Sequence, residues 1–169
     1  MKFEGQVFKF GDNINTDFII SGRYKFSITD MKKLSIHLFE DIRPDFYQEI
    51  IPDKSIIVGG ENFGLGSSRE QAPWVIKEAK VLCVIAKSFA RIFYRNSFNI
   101  GLALIEADTD LLEEKDHIVV NLDKGTITNL TRKKDIKFPP FEKFRKDFIK
   151  NKGVIRYLKK YKNFKIEDI

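Results

Sequence analysis

The pattern of apolar and polar positions divides this chain into short strands and helices. Gly5-Gln6-Val7-Phe8-Lys9-Phe10 alternates with the period of a strand, and Gly11-Asp12-Asn13 behind it is turn chemistry. Ser55-Ile56-Ile57-Val58 and Val81-Leu82-Cys83-Val84-Ile85-Ala86 are continuous apolar runs that read as buried strands, with a helix over Trp74–Lys80 between them. Leu102–Glu106 is a further strand, and His117–Leu122 with Thr126–Thr128 reads as a hairpin around Asp123-Lys124-Gly125. Thr29 or Asp30 caps a helix running through Met31, Leu34, Leu38 and Phe39, and Pro44 opens a short one ending near Pro52. Between them, Ser21–Ser27 reads as an exposed loop carrying Arg23, Tyr24, Lys25 and Phe26.

Within Ser88–Ser97, residues Phe89, Ile92, Phe93 and Asn96 share one helical face, while Arg91 and Arg95 lie four apart on another. Those arginines are either surface charge or face a partner subunit, and the sequence does not decide. Phe141, Phe144 and Phe148 recur at helical spacing with lysines between them, the pattern of an amphipathic terminal helix. With no internal repeat and Pro139-Pro140 the only linker candidate, the economical arrangement is one α/β domain over residues 1–130. Residues 131–169 are then a basic helical C-terminal extension of it.

The stretch that carries chemistry is Gly59-Gly60-Glu61-Asn62-Phe63-Gly64-Leu65-Gly66-Ser67-Ser68-Arg69-Glu70-Gln71-Ala72-Pro73. Four glycines in the eight residues 59–66 let backbone approach a ligand, and a helix start behind them favours an anion. Two hydroxyls and a guanidinium there can all donate to one planar carboxylate. The plainer reading is structural: Ser67 with Glu70, or Ser68 with Gln71, fits a capping box. If the helix is capped at Ser67, Pro73 lacks an N–H that the first turn needs, which predicts a kinked or re-started turn. Asp17, among Ile14, Phe18, Ile19 and Ile20, needs partners; it either closes a local turn with Asn15 and Thr16 or serves a site.

The 169 residues, 43% apolar and with sixteen phenylalanines, suffice for one domain with a real core. No secretory leader and no stretch approaching a membrane span is legible, so a cytoplasmic location without membrane contact is expected. The single cysteine, Cys83, excludes a disulfide framework and cannot by itself hold a four-iron cluster. His37 and His117, the only histidines, stand far apart in apolar-periodic surroundings, so no metal site is expected in this chain. Of the net charge of +6, residues 132–165 carry fourteen Lys and Arg against three Asp and Glu, whereas residues 1–131 carry sixteen against nineteen. A basic end can bind nucleic acid, but with phenylalanines at helical spacing a solvated helix face is the preferred reading.

Gly-x-Gly-Ser-Ser-Arg-Glu-Gln-Ala-Pro resembles the signature of the aconitase swivel domain, specifically that of the stand-alone small subunits of isopropylmalate and homoaconitate dehydratases. Gly11-Asp12-Asn13-Ile14-Asn15-Thr16-Asp17 and Ser88-Phe89-Ala90-Arg91-Ile92-Phe93-Tyr94-Arg95-Asn96-Ser97 match in order, and the resemblance spans about residues 5 to 125. It implies a layered β/β/α fold and one subunit of a hydro-lyase that isomerises a 2-hydroxy dicarboxylate by removing and re-adding water. It further implies a four-iron four-sulfur cluster on a separate large subunit. Carried over by residue, Ser67 is the catalytic base, Ser68 and Arg69 hold a substrate carboxylate, and Asp17 lies near the catalytic centre. The loop holding Arg23, Tyr24, Lys25 and Phe26 selects the substrate. An arginine at the position of Phe26 would read an extra carboxylate; phenylalanine there favours the isopropyl group of isopropylmalate, the leucine-pathway substrate, over homoaconitate. A methylmalate, and a non-catalytic anion- or RNA-binding module, are the rival expectations.

Overall fold

The computed structural model describes residues 1–25 and 27–162. Seven strands are described: β1 (Lys2–Lys9), β2 (Ser55–Val58), β3 (Val81–Ala86), β4 (Ala103–Glu106), β5 (His117–Asn121), β6 (Thr126–Asn129) and β7 (Lys134–Lys137). They form one mixed sheet in the order β4-β3-β2-β1-β5-β6-β7. β1 is where the two halves join, parallel to β2 with Phe8 opposite Ile57 and antiparallel to β5 with Gly5 opposite Ile118. The β1–β4 half is parallel and the β5–β7 half antiparallel.

Side chains alternate across this sheet as the pleat requires. Val7, Ile56, Val58, Cys83, Ile85, Ala103 and Ile105 point to one side, where they pack with Ile118, Val120, Ile127 and Ile136 of the antiparallel half. β4 and β7 are opposite ends of the sheet, so a shared core means that the sheet curls and its halves face each other. Phe8, Ile57, Val84, Ala86 and Leu104 point the other way, into a second core under the helices. The result is the layered β/β/α arrangement.

The helices are α1 (Thr16–Ile19), α2 (Gly22–Lys25), α3 (Met31–Leu34), α4 (Phe46–Glu49), α5 (Gln71–Glu78), α6 (Arg91–Ile100), α7 (Lys143–Lys150) and α8 (Val154–Tyr161). Asp30 caps α3, accepting the Lys32 N–H at 2.9 Å. The helix expected through Phe39 ends early: a 3₁₀ turn follows at Ser35–His37, and Phe39 takes a φ of +57°. Phe39 is there fully buried, stacked on Phe10 at 4.2 Å between centroids and edge-on to Phe46 at 5.5 Å. Aromatic pairs of this kind contribute ~1 kcal/mol each beyond their burial, which offsets the strained backbone. Residues 22–25, expected as loop, form the one-turn helix α2. Ile92, expected on the apolar face of its helix, is 49% exposed while Phe93 is buried.

β7 was not legible, because of Lys134-Asp135-Ile136-Lys137 only Ile136 is buried. Pro139-Pro140 is not a free linker: Phe138 and Phe141 on either side are buried, and their N–H groups donate to the carbonyls of Gly125 and Leu122, both at 2.9 Å. α7 and α8 then pack on α6, with Phe148 edge-on to Phe98 at 5.0 Å and to Tyr157 at 4.9 Å.

Two ion pairs on Asp123 tie Met1 and α7 to the turn between β5 and β6. The ammonium of Lys146, donating at 2.6 Å, and then that of Met1 hold the Asp123 carboxyl down to about 2. A carboxyl whose folded value lies below its unfolded one stabilises above the unfolded value and loses that contribution as pH falls. The stability difference between the protein and Asp123→Asn is therefore expected to be full above about pH 4 and to vanish as pH approaches 2, measured as urea midpoints across that range.

Candidate active site

The three motifs occupy the loops that leave the carboxyl ends of β1, β2 and β3, the edge at which parallel sheets present ligand sites. Backbone hydrogen bonds join them. The Phe63 N–H donates to the Ser88 carbonyl at 3.0 Å, and the Ala90 N–H returns to the Phe63 carbonyl at 2.9 Å. Gly64 N–H donates to the Ile14 carbonyl at 2.7 Å, and Thr16 N–H to the Leu65 carbonyl at 2.8 Å. Asp12 accepts the Glu61 N–H at 2.7 Å. So close an approach needs glycine at two places. Gly64 and Gly66 have φ of +82° and +100°, and a Cβ on Gly66 would lie 2.4 Å from Asn15 Oδ1.

Asn15 Oδ1 caps α1 by accepting the Asp17 N–H at 2.9 Å, and the buried Thr16 hydroxyl donates to the Ser67 carbonyl at 3.0 Å. That carbonyl also accepts the Arg69 N–H at 2.7 Å, so Ser67 is held by its backbone alone. The hydroxyls of Ser67 and Ser68 are exposed and make no hydrogen bond among the described residues. Neither capping box forms. The helix begins at Gln71, its N-cap Glu70 makes no side-chain bond, and Pro73 falls in the first turn, where a missing N–H costs nothing.

Arg69 is only 13% exposed. Its Nη1 donates to the Ile20 carbonyl at 2.8 Å, its Nη2 pairs with the Asp17 carboxylate, and its Nε is buried without a partner. Asp17 and Arg69 are thus brought together beside Ser67. Arg23 and Tyr24 are turned to other partners: Arg23 pairs with Asp41, while Tyr24 stacks on His37 at 3.7 Å and donates to Glu40 at 3.2 Å. Desolvation, then the Glu40 carboxylate, raises the Tyr24 phenol above its usual range. Lys25 ends α2, and Phe26 lies outside the described residues.

Ser67 borders an open cleft of about 490 Å³ that is also lined by Gly64, Gly66, Ala90, Arg91, Ile92 and Arg95. Both arginines are exposed and unpaired among the described residues. Their four-residue spacing was the available signal for them. A hydroxyl in a cleft whose lining includes two cationic side chains has the electrostatic setting that favours its deprotonated form. Ligands for a metal are a different matter. The Cys83 thiol is fully buried in β3, where burial pushes it up, and His37 and His117 lie against Glu40 and Glu4 at 2.5 and 3.0 Å. Among the described residues no group of three His, Cys, Asp or Glu is placed to hold an ion, so this chain's donors do not fit an iron–sulfur cluster.

A curled seven-stranded sheet whose parallel half presents these three loops defines a domain of the aconitase C-terminal type, and the chain belongs to that family, whose profile matches residues 12–110. More particularly, it falls among the small subunits of 3-isopropylmalate dehydratase. It is 46% identical over 161 residues to 3-isopropylmalate dehydratase small subunit 1 of Thermotoga maritima, covering 95% of this chain and 96% of that one. With the 3-isopropylmalate dehydratase small subunit of Wolinella succinogenes the identity is 49% over 157 residues, covering 92% and 93%. The crystal structure of 3-isopropylmalate dehydratase from Methanocaldococcus jannaschii superposes with a TM-score of 0.90 at 42% identity, over 96% of each chain.

Ser67→Ala and Ser68→Ala are expected to shift stability by no more than about 0.5 kcal/mol, since neither hydroxyl is bonded or buried. Gly66→Ala, which forces a Cβ onto Asn15 at positive φ, is expected to cost ~1–3 kcal/mol. Urea denaturation of the three variants separates the two outcomes.

Proposed function

We propose that this chain is the small subunit of a two-chain hydro-lyase that interconverts 2-isopropylmalate and 3-isopropylmalate by dehydration and rehydration, in the cytoplasm and as part of leucine biosynthesis. The observation that carries this reading is the Ser67 hydroxyl, exposed and without a hydrogen bond among the described residues, on a glycine loop that lines one cleft with Arg91 and Arg95, whose guanidinium groups have no partner among the described residues. A structural serine on such a loop would be capping the following helix; this one leaves the cap unmade.

In this reading the four-iron four-sulfur cluster belongs to a large subunit, because the one thiol here is buried in the sheet. What this chain contributes is the proton transfer. Ser67 Oγ, as alkoxide, takes a proton from the substrate carbon next to a carboxylate and returns one on rehydration. The cationic side chains that line the same cleft favour that alkoxide, and the cleft admits a small dicarboxylate. Asp17 neutralises Arg69, and Arg69, by donating to the Ile20 carbonyl, fixes the start of the segment with Arg23, Tyr24, Lys25 and Phe26, which in this reading covers the isopropyl group. No helix among the described residues is long and apolar enough to cross a membrane, in keeping with the proposed location.

Reconstitution with a cluster-bearing large subunit tests the proposal. Ser67→Ala is expected to lower kcat by ~10²–10⁴ with subunit assembly and melting temperature unchanged, and the unmutated pair to prefer 2-isopropylmalate over homocitrate-type acids and methylmalates in kcat/KM. Full turnover by Ser67→Ala would overturn the role of the serine. Preference for a tricarboxylate or a methylmalate would overturn the substrate, and salt-sensitive RNA binding with no turnover would overturn the class.

A further inference from the structure

We propose that His37 and Glu40 are positioning residues that hold the segment from Ser21 to Ile28 in place for the substrate. The inference rests on the reading above that this segment covers the substrate's side chain, and it adds what fixes the segment. Its starting point is Tyr24. The ring lies face to face with that of His37, 3.7 Å between centroids and 14° between planes. The Tyr24 hydroxyl donates to one oxygen of Glu40 at 3.2 Å, and Nδ1 of His37 lies 2.5 Å from the other. One carboxylate therefore joins both members of the stack. Stacking alone is open to any aromatic pair, whereas a carboxylate that gives one oxygen to each ring also fixes their register.

Both residues stand on a fixed part of the protein. Between them is Phe39, fully buried against Phe10, Phe46 and Phe63, with its N–H donating to the Ile19 carbonyl at 3.0 Å. Asp41, the next residue along, pairs with Arg23, so residues 37–41 form a strip that takes two neighbouring side chains of the segment. The start of the segment lies against Arg69, which donates to the Ile20 carbonyl and which a Cβ on Gly22 would approach to 3.3 Å. Arg69 follows Ser67 by two residues, so the segment sets out beside the loop that presents the serine. Beyond Tyr24 it folds on itself: the N–H groups of Ser27 and Ile28 both donate to the Tyr24 carbonyl, at 3.2 and 3.0 Å. Lys25 and Phe26 fall between those bonds in sequence. What fixes Tyr24 thus fixes the turn that carries them, and what fixes Tyr24 is the His37–Glu40 pair.

The test places His37→Ala, Glu40→Ala, Glu40→Gln and Tyr24→Phe in the reconstituted two-chain enzyme. The two alanine variants are expected to raise KM for 2-isopropylmalate ~10-fold and to narrow the preference over a methylmalate by a similar factor, with kcat changed less. Glutamine can still accept from Tyr24 and can bond His37 in its other tautomer, so Glu40→Gln should recover most of the loss. Tyr24→Phe removes only a hydroxyl and keeps the stack; it should show the same pattern in smaller degree, which keeps the test open if an alanine variant fails to fold. A purely structural role would lower the active fraction, and with it kcat, while KM and preference stay unchanged, and that result overturns the proposal. A second readout needs no turnover: tryptic cleavage after Arg23 and Lys25 in this chain should be ~10-fold faster in Glu40→Ala, because the segment opens more often. Unchanged cleavage would overturn the anchor and leave the substrate assignment standing. Preference of the unmutated pair for a different hydroxy acid would sink the substrate assignment instead, and the shift in KM for that acid then decides the positioning role.

Discussion

The contact on which the rest of the site depends is the pairing of Arg69 with Asp17. One planar guanidinium reaches from the glycine loop to the carboxylate of α1 and to the carbonyl of Ile20 just beyond it. Arg69 is the buried member, so removing the half-exposed Asp17 would leave the guanidinium largely desolvated without its counter-charge. Through it the loop that presents Ser67 and the segment that begins at Ser21 share one anchor. The Thr16 hydroxyl on the Ser67 carbonyl and the Asn15 cap on α1 reinforce the same junction. A shift in either loop is therefore transmitted to the other.

The electrostatics divide accordingly. Asp17 and Arg69 pair with each other, Asp12 is occupied by backbone, and among the described residues the charges lining the cleft are those of Arg91 and Arg95. No described residue of the basic C-terminal extension lines this cleft, yet the extension bears on it. Lys77 lies between α5 and the extension and donates to the carbonyls of Ile100, at the end of α6, and of Lys152. Burial, with Arg156 adding to it, holds its ammonium down to about 8. α7 and α8 thus clamp one end of the helix whose other end borders the cleft, and many of their lysines are simply the solvated side of that clamp.

Much of this architecture was legible because burial in the sheet is written as apolar runs: Ser55–Val58 and Val81–Ala86 are strands with the expected bounds. What escaped reading was decided by contacts far away in sequence. Phe39 leaves its helix because Phe10, Phe46 and Phe63 surround it. The helix starts at Gln71 and not at Ser67, whose carbonyl is held by Thr16, fifty-one residues earlier. Lys134–Lys137 joins the sheet through backbone pairing with β6 and one buried isoleucine, a signal too thin to see. At the site, residue types and motif order were readable, but the partners of Arg69, Arg23 and Tyr24 were not, since long polar side chains choose partners from the fold.

The parallel half of the sheet has a consequence for when the cleft can exist. Parallel neighbours cannot be joined by a tight turn, so each of β1, β2, β3 and β4 waits for a long crossover before it finds its place, and loop-closure entropy must be overcome before those pairings are rewarded. The cleft is lined by the loop after β2 and by the loop and helix start after β3, the former anchored on the loop after β1, so its parts are not neighbours in sequence. A nascent or half-folded chain therefore carries none of it, even in part. Any partner that recognises this edge is in effect inspecting the whole parallel sheet, and it meets only chains that have already completed it.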